Sequence, residues 1–189
     1  MTSVTETGCN IEPAPVIWIT GLAGAGKTTL AAAVVSLLRG RGRGPLLLDG
    51  DEVRNAVEGD IEPVVHDRSH RLQRARRLAA LCRLASAQGI PVVAATLSLF
   101  HSVQDWNRAH LPAYYEVFLQ ADLALLKERR PELYGAHGAA DVVGLDIVPE
   151  FPRTPALTIV QHFRTEDRPL NAAAIVALLD GAERRQAAE

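Results

Sequence analysis

Two hydrophobic periods alternate along this chain. Residues 16–20 (VIWIT) form a short, continuously apolar run ending at glycine, the pattern of a strand buried on both faces of a sheet. Residues 28–38 follow with helical spacing and good helix formers, and the Arg-Gly-Arg-Gly-Pro stretch stops them. Residues 46–48 read as a second buried strand, closing on Asp-Gly-Asp. A long helix is predicted over 68–88, with Leu72, Ala75, Leu78, Ala79, Cys82 and Ala85 recurring at three and four, and Gly89 ends it. Residues 90–97 and 115–119 read as strands, and 121–130 as a helix stopped by Pro131. The stretch 131–155 is rich in Gly, Ala and Pro with little periodicity, and reads as a mobile segment. Residues 157–160 are a fifth strand, and 169–179 begin a closing helix with proline in its first turn. Strand and helix in alternation, joined by short connections, imply an α/β fold: a parallel sheet of about five strands with helices on both faces.

Composition narrows the picture. The 189 residues suit a single domain at 15–189 behind a disordered tail at 1–14, and 48% hydrophobic residues are enough for a core. A net charge of −2 gives no global attraction to nucleic acid or to anionic membrane. Two cysteines, one in the polar tail and one on an apolar helical stripe, form neither a zinc site nor a credible disulfide. The tail lacks the apolar stretch of a signal peptide and no apolar run reaches the length of a membrane span, so a reducing cytoplasm is expected. Lys27 and Lys127 are the two lysines among 20 basic residues, which gives weight to a lysine inside a glycine-rich loop.

That loop is Gly21-Leu22-Ala23-Gly24-Ala25-Gly26-Lys27-Thr28, which satisfies G-x-x-x-x-G-K-[ST] between a predicted strand and a predicted helix. Glycines let successive N–H groups turn toward phosphate oxygens, and the helix beginning near Lys27 adds the positive end of its dipole. The Lys27 ammonium suits the β- and γ-phosphates of ATP, the Thr28 hydroxyl suits Mg2+, and Thr29 continues the first turn. The fold expected is therefore the P-loop NTPase-type sheet.

Asp49 and Asp51 close the second strand, where loops at the carboxyl ends of parallel strands form the ligand crevice. Two acids beside phosphates call for a cation between them, and magnesium supplies it. Arg54 lies three residues after Asp51, one helical turn on. The arginines of the long helix (68, 71, 74, 76, 77 and 83) read mostly as a solvated face. The six histidines show no metal-binding spacing with acids.

Taken in order, GLAGAGKTTL, LLLDGDEVR, HDR, GIPVVAATLS and GLD resemble the adenylylsulfate kinase family over about 16–157. The resemblance implies transfer of the ATP γ-phosphoryl group to the 3′-hydroxyl of adenylylsulfate, with Mg2+, in an enzyme that usually acts as a homodimer. It implies that Lys27 and Thr28 hold ATP and metal, and that Asp51 orients or deprotonates the acceptor hydroxyl with Asp49 near the metal. Arg54 and Arg68 match arginines that grip the acceptor's anionic end, and Ser98 matches the serine of the family's Ile-Ser-Pro. Arg129, Pro131, Leu133 and Tyr134 match a lid over the nucleotide, expected at 129–151.

Departures concentrate on the acceptor side. Pro63 and Val142 stand where the family carries two aromatic rings that sandwich adenine, and Arg71 replaces an asparagine. Base–aromatic stacking is worth about 1–3 kcal/mol per base, so losing two faces costs adenine affinity about two decades. The expected acceptor is thus a small phosphate-bearing metabolite of a specialised pathway, with adenylylsulfate itself left open. The other class of reading, a nucleotide-dependent switch with slow hydrolysis, lacks the Asn-Lys-x-Asp run of a switch GTPase.

Overall fold

The computed structural model describes residues 11–59, 67–135 and 141–186. The expectations for Pro63, for most of the tail and for part of the 129–151 lid lie outside those residues.

Five strands form one sheet: β1 (Val16–Gly21), β2 (Leu46–Asp49), β3 (Val92–Thr96), β4 (Tyr114–Gln120) and β5 (Leu157–Val160), in the order β2-β3-β1-β4-β5 with every pairing parallel. All six residues of β1 are buried because it is the central strand, covered on both faces. Its alternation assigns the layers. Ile17 and Ile19 meet α1 (Lys27–Gly40) and the C-terminal helix, while Val16 and Trp18 meet the long helix and the helix after β3.

Between β1 and β4 the chain places α1, α2 (Gly50–Glu58), α3 (Arg68–Ser86) and α4 (His101–His110); α5 (Leu123–Arg129), α6 (Pro131–Tyr134) and α7 (Asp167–Gln186) follow. Leaving β1, the chain crosses to β2 at the sheet edge, fills β3 between them, then passes to β4 on the other side of β1. That reversal opens a crevice at the carboxyl end of β1, where ligands bind in open α/β sheets.

Three helices, α2, α4 and α6, have no counterpart in the sequence pattern. α2 is a nine-residue helix that buries none of its residues, and its apolar face is only Val53 and Val57, too short a stripe to stand out in the sequence. α4 buries Gln104 and Asn107 together with Val103, which masks its inner face. The segment expected to be irregular after residue 130 holds α6 and a tight turn closed by the Val143–Ile147 bridge. Val142 and Val143 pack there with Leu22, Leu99, Phe118, Leu126 and Tyr134 into a third apolar cluster beneath the phosphate loop.

Candidate active site

β1 delivers the chain into the phosphate loop at Gly21, where a Cβ would lie 2.5 Å from the Leu119 carbonyl oxygen, so only glycine fits against β4. Gly26 ends the loop at φ 91°, a left-handed conformation that favours glycine, and starts α1 directly behind it. The first turn of α1 contains no acid and no capping side chain, which leaves its N–H groups for an anion. From outside the loop, the Tyr134 hydroxyl donates to the Ala23 carbonyl at 2.9 Å and braces the main chain.

Lys27 is half-buried, and its ammonium donates to the Leu22 carbonyl at 2.8 Å. Burial pushes it down to about 8, against the opposing pull of Asp51 and Asp49. The Thr28 hydroxyl donates to Asp49 Oδ2 at 2.6 Å, and Asp49 Oδ1 accepts from the Asp51 N–H at 2.9 Å, capping α2. Asp49 thus ties the start of α1 to the start of α2. Its carboxylate beside a hydroxyl is an all-oxygen donor pair of the kind that holds Mg2+ together with waters and phosphates. Among the described residues no group of three or more His, Cys, Asp or Glu assembles, so a metal here would depend on its substrate for further ligands.

The loop opens on a cavity of about 870 Å³ that runs to α2 and α3. Ala23, Gly24, Ala25, Gly26, Lys27, Thr28 and Thr29 line it from the loop and the start of α1, Asp49 from the end of β2, Asp51 and Arg54 from α2, Arg71 from α3 and Arg129 from α5. Gly21 and Leu22 are buried behind the loop. Arg54 Nη1 donates to Asp51 Oδ1 at 2.6 Å. Arg71 Nη2 donates to the Asp141 carbonyl at 3.0 Å, and burial lowers its guanidinium while Asp141 opposes the shift. Arg129 sits 4.1 Å over the ring of Phe163, itself at φ 60°.

Besides Gly21 and Leu22, two more of the expected site residues stand away from the cavity lining. Arg68 pairs with Glu150 and lies 5.3 Å over Phe100, while Ser98 is fully buried and its carbonyl accepts from the Thr20 hydroxyl at 3.3 Å. Phe100 is buried under Arg68, and the half-exposed Phe151 leans on Phe118 at 5.3 Å; neither lines the cavity.

The helix arginines require a correction. Arg74 is not on a solvated face: its Nε donates to both oxygens of Glu58, at 3.1 and 2.9 Å, and Arg77 Nη1 donates to Glu58 Oε1 at 3.0 Å. Glu58, Arg74 and Arg77 all line the cavity. Sequence reasoning missed Glu58 altogether, although its spacing of seven residues from Asp51 and Arg74's of three from Arg71 were available signals. The arrangement combines a main-chain cradle for phosphates, an acid–hydroxyl pair for a cation, and a four-arginine wall able to take a second anion.

Residues 13–160 match the family described as adenylylsulphate kinase. The cytidine diphosphoramidate kinase of Campylobacter jejuni subsp. jejuni serotype O:2 is 33% identical over 153 residues, 78% of this chain and 85% of that protein. The adenylyl-sulfate kinase of Aeromonas salmonicida is 36% identical over 151 residues, 77% of this chain and 76% of that protein. Among solved structures, the Mycobacterium tuberculosis APS kinase CysC in complex with AMPPNP and APS aligns with a TM-score of 0.77 at 24% identity, covering 89% of this chain and 98% of that one; at that identity the likeness speaks for the fold.

Proposed function

This chain belongs to the adenylylsulfate kinase family and is an ATP-dependent phosphotransferase acting on a small molecule; on that premise we propose that its acceptor is a nucleoside-diphosphate-like anion other than adenylylsulfate. One observation carries the reading: the phosphate loop lines the cavity from Ala23 to Thr29, whereas α2 and α3 present Arg54, Arg71, Arg74 and Arg77 and, among the described residues, no aromatic face. Val142, at one of the two positions where an adenine-stacking ring was expected, is an aliphatic side chain buried in the cluster beneath the loop. A relative that acts on cytidine diphosphoramidate supports a pyrimidine nucleotide over an adenine one.

In the proposed reaction the loop N–H groups and Lys27 hold the β- and γ-phosphates, and Arg129 with Phe163 offers a stacking surface to the base of ATP. The acceptor hydroxyl oxygen bonds to the γ-phosphorus as the bond from that phosphorus to the β,γ-bridging oxygen breaks. Asp51 takes the hydroxyl proton, and ADP leaves with the electron pair of the broken bond. Thr28 and Asp49 would hold Mg2+, which neutralises charge on the phosphates when bound. Arg54 and Arg71 grip the acceptor's anionic end. Arg68 and Ser98, behind the wall, would act by shaping it.

The segment 129–151 is proposed to close over ATP, and slowed hydrogen exchange there on adding both substrates is the expected result. We further propose a cytoplasmic homodimer, checked by light scattering; no helix among the described residues is long and apolar enough to cross a membrane. The deciding experiment is an acceptor screen with γ-labelled ATP over adenylylsulfate, nucleoside diphosphates and phosphorylated sugars. A kcat/KM for adenylylsulfate within the ordinary enzyme range of ~10⁴–10⁸ M⁻¹s⁻¹, above that of every nucleoside diphosphate, sinks the proposal.

A further inference from the structure

α2 carries two carboxylates on one face. Asp51 and Glu58 are seven residues apart, two helical turns, and both line the cavity with Arg54 and Val57 between them. At 1.5 Å per residue the two positions lie about 10 Å apart along the axis. That is the span from a ribose hydroxyl to the far edge of a pyrimidine with a hydrogen bond at each end.

Glu58 is held in place. Arg74 Nε donates to both of its oxygens, Arg74 Nη2 lies 2.8 Å from Oε2, and Arg77 Nη1 donates to Oε1 at 3.0 Å. Three N–H protons therefore reach the carboxylate, one of them shared between its two oxygens. A carboxylate offers about four acceptor positions, and these contacts engage two on each oxygen; the single Nε proton spans two of them and can cede its longer contact, 3.1 Å to Oε1, to a donor on a ligand. The Arg74 hydrogen bond holds the carboxyl below its usual range against the opposing effect of burial, which keeps it an acceptor at neutral pH.

Val53 and Val57 of α2 and Ala75 and Leu78 of α3 also line the cavity. Aliphatic side chains of this size cover a small ring and provide no aromatic face for a purine.

Resting on the reading that the acceptor is a nucleoside-diphosphate-like anion, we propose that Glu58 is the residue that selects its base, accepting a hydrogen bond from an exocyclic amino group, so that cytosine is preferred over uracil. A carboxylate paired with a cytosine amino group is a known base-reading contact. Uracil presents a carbonyl at the same edge, which sets two acceptors against each other on a half-buried wall. Arg74 and Arg77 are positioning residues that fix the carboxylate.

The test measures kcat/KM with γ-labelled ATP for cytidine, uridine and adenosine 5′-diphosphates as acceptors, in the wild-type protein and in Glu58→Gln. The wild-type protein should prefer the cytidine compound over the uridine one by at least about fivefold, the low end of what one good base contact discriminates. Glu58→Gln, whose amide can donate to the uracil carbonyl, should level or reverse that preference while the KM for ATP stays unchanged. A residue that merely clamps α2 to α3 would not move the ratio.

Equal use of cytidine and uridine diphosphates, or a preference for the adenosine compound, overturns the assignment and leaves the proposed acceptor class standing. Unaltered cytidine selectivity in Glu58→Gln does the same. Turnover of adenylylsulfate with none of the three diphosphates overturns both. The wild-type ratio is informative even if the variant does not fold.

Discussion

At the phosphate end of the cavity the walls are mainly main chain: loop N–H groups, the start of α1, and one lysine lying along the loop. At the acceptor end they are side chains alone, projected from α2 and α3 and tied to one another through Glu58. The first kind of wall depends on backbone curvature that a few glycines guarantee, and it reads phosphate without regard to what carries it. The second depends on which residues two helices turn inward, and it can be rebuilt by single substitutions without disturbing the loop. A chain can therefore keep its ATP chemistry intact while its acceptor changes.

The most damaging test strikes the phosphate end. Lys27→Ala should lower transfer by ~10²–10⁵-fold for every acceptor, the range for a group that stabilises charge on transferring phosphate. Retention of more than about a tenth of the activity in a steady-state assay would break the comparison at its firmer side. Asp51→Asn sits at the boundary: turnover should fall ~10²–10⁴-fold. The dissociation constant for an ATP analogue, measured by calorimetry, should stay within about twofold, since the proposed partner of Asp51 is the acceptor hydroxyl; a parallel loss of affinity would move it to the metal and phosphate side.

Arg71→Lys probes the far wall. Hydrogen bonds to charged groups are worth about 1.5–3 kcal/mol, so losing the planar fork should raise the acceptor KM about 10- to 100-fold with the ATP KM unchanged. Equal effects on both would mean that the two ends are not separable.

The pH response sharpens the phosphate side further. Burial lowers free Lys27 to about 8 from 10.5. Above that pH the free protein has lost the ammonium that the phosphates require, so ATP binding takes up a proton. Affinity then falls by up to about tenfold per pH unit as pH rises past 8. Stability of the unliganded protein moves the other way: between about 8 and 10.5 the unfolded chain binds the extra proton, so unfolding becomes harder as pH rises. Calorimetry in buffers of different ionisation heat and thermal melts across this window check both signs.

The smallest effect is expected for Tyr134→Phe, which removes the hydroxyl bracing the Ala23 carbonyl. A neutral hydrogen bond of about 0.5–1.5 kcal/mol corresponds to a rise of about two- to tenfold in the ATP KM, with the acceptor KM unaffected.

How much of this was legible in the residues follows from the same contrast. The five strands, α1 and the phosphate loop could be read in advance because each is local. A continuous apolar run is a buried strand wherever it falls, and eight adjacent residues define the curl of the loop. α2 was not read, since it fully buries nothing and carries a stripe of only two valines, one packed on the core and both facing the cavity. Nor was α4, because it buries amides.

Arg68 and Arg74 show the limit most directly. They stand six residues apart on one helix, and the chemistry of the guanidinium is the same in both. Docking of α3 turns Arg74 toward Glu58 in the cavity wall, while Arg68 meets Glu150, a carboxylate 82 residues away along the chain. The sequence alone determined the sheet, the phosphate cradle and the family. Which charges face the acceptor was decided only in the folded chain, because a side chain's partner across such a distance is set by how helices pack and not by the residues beside it.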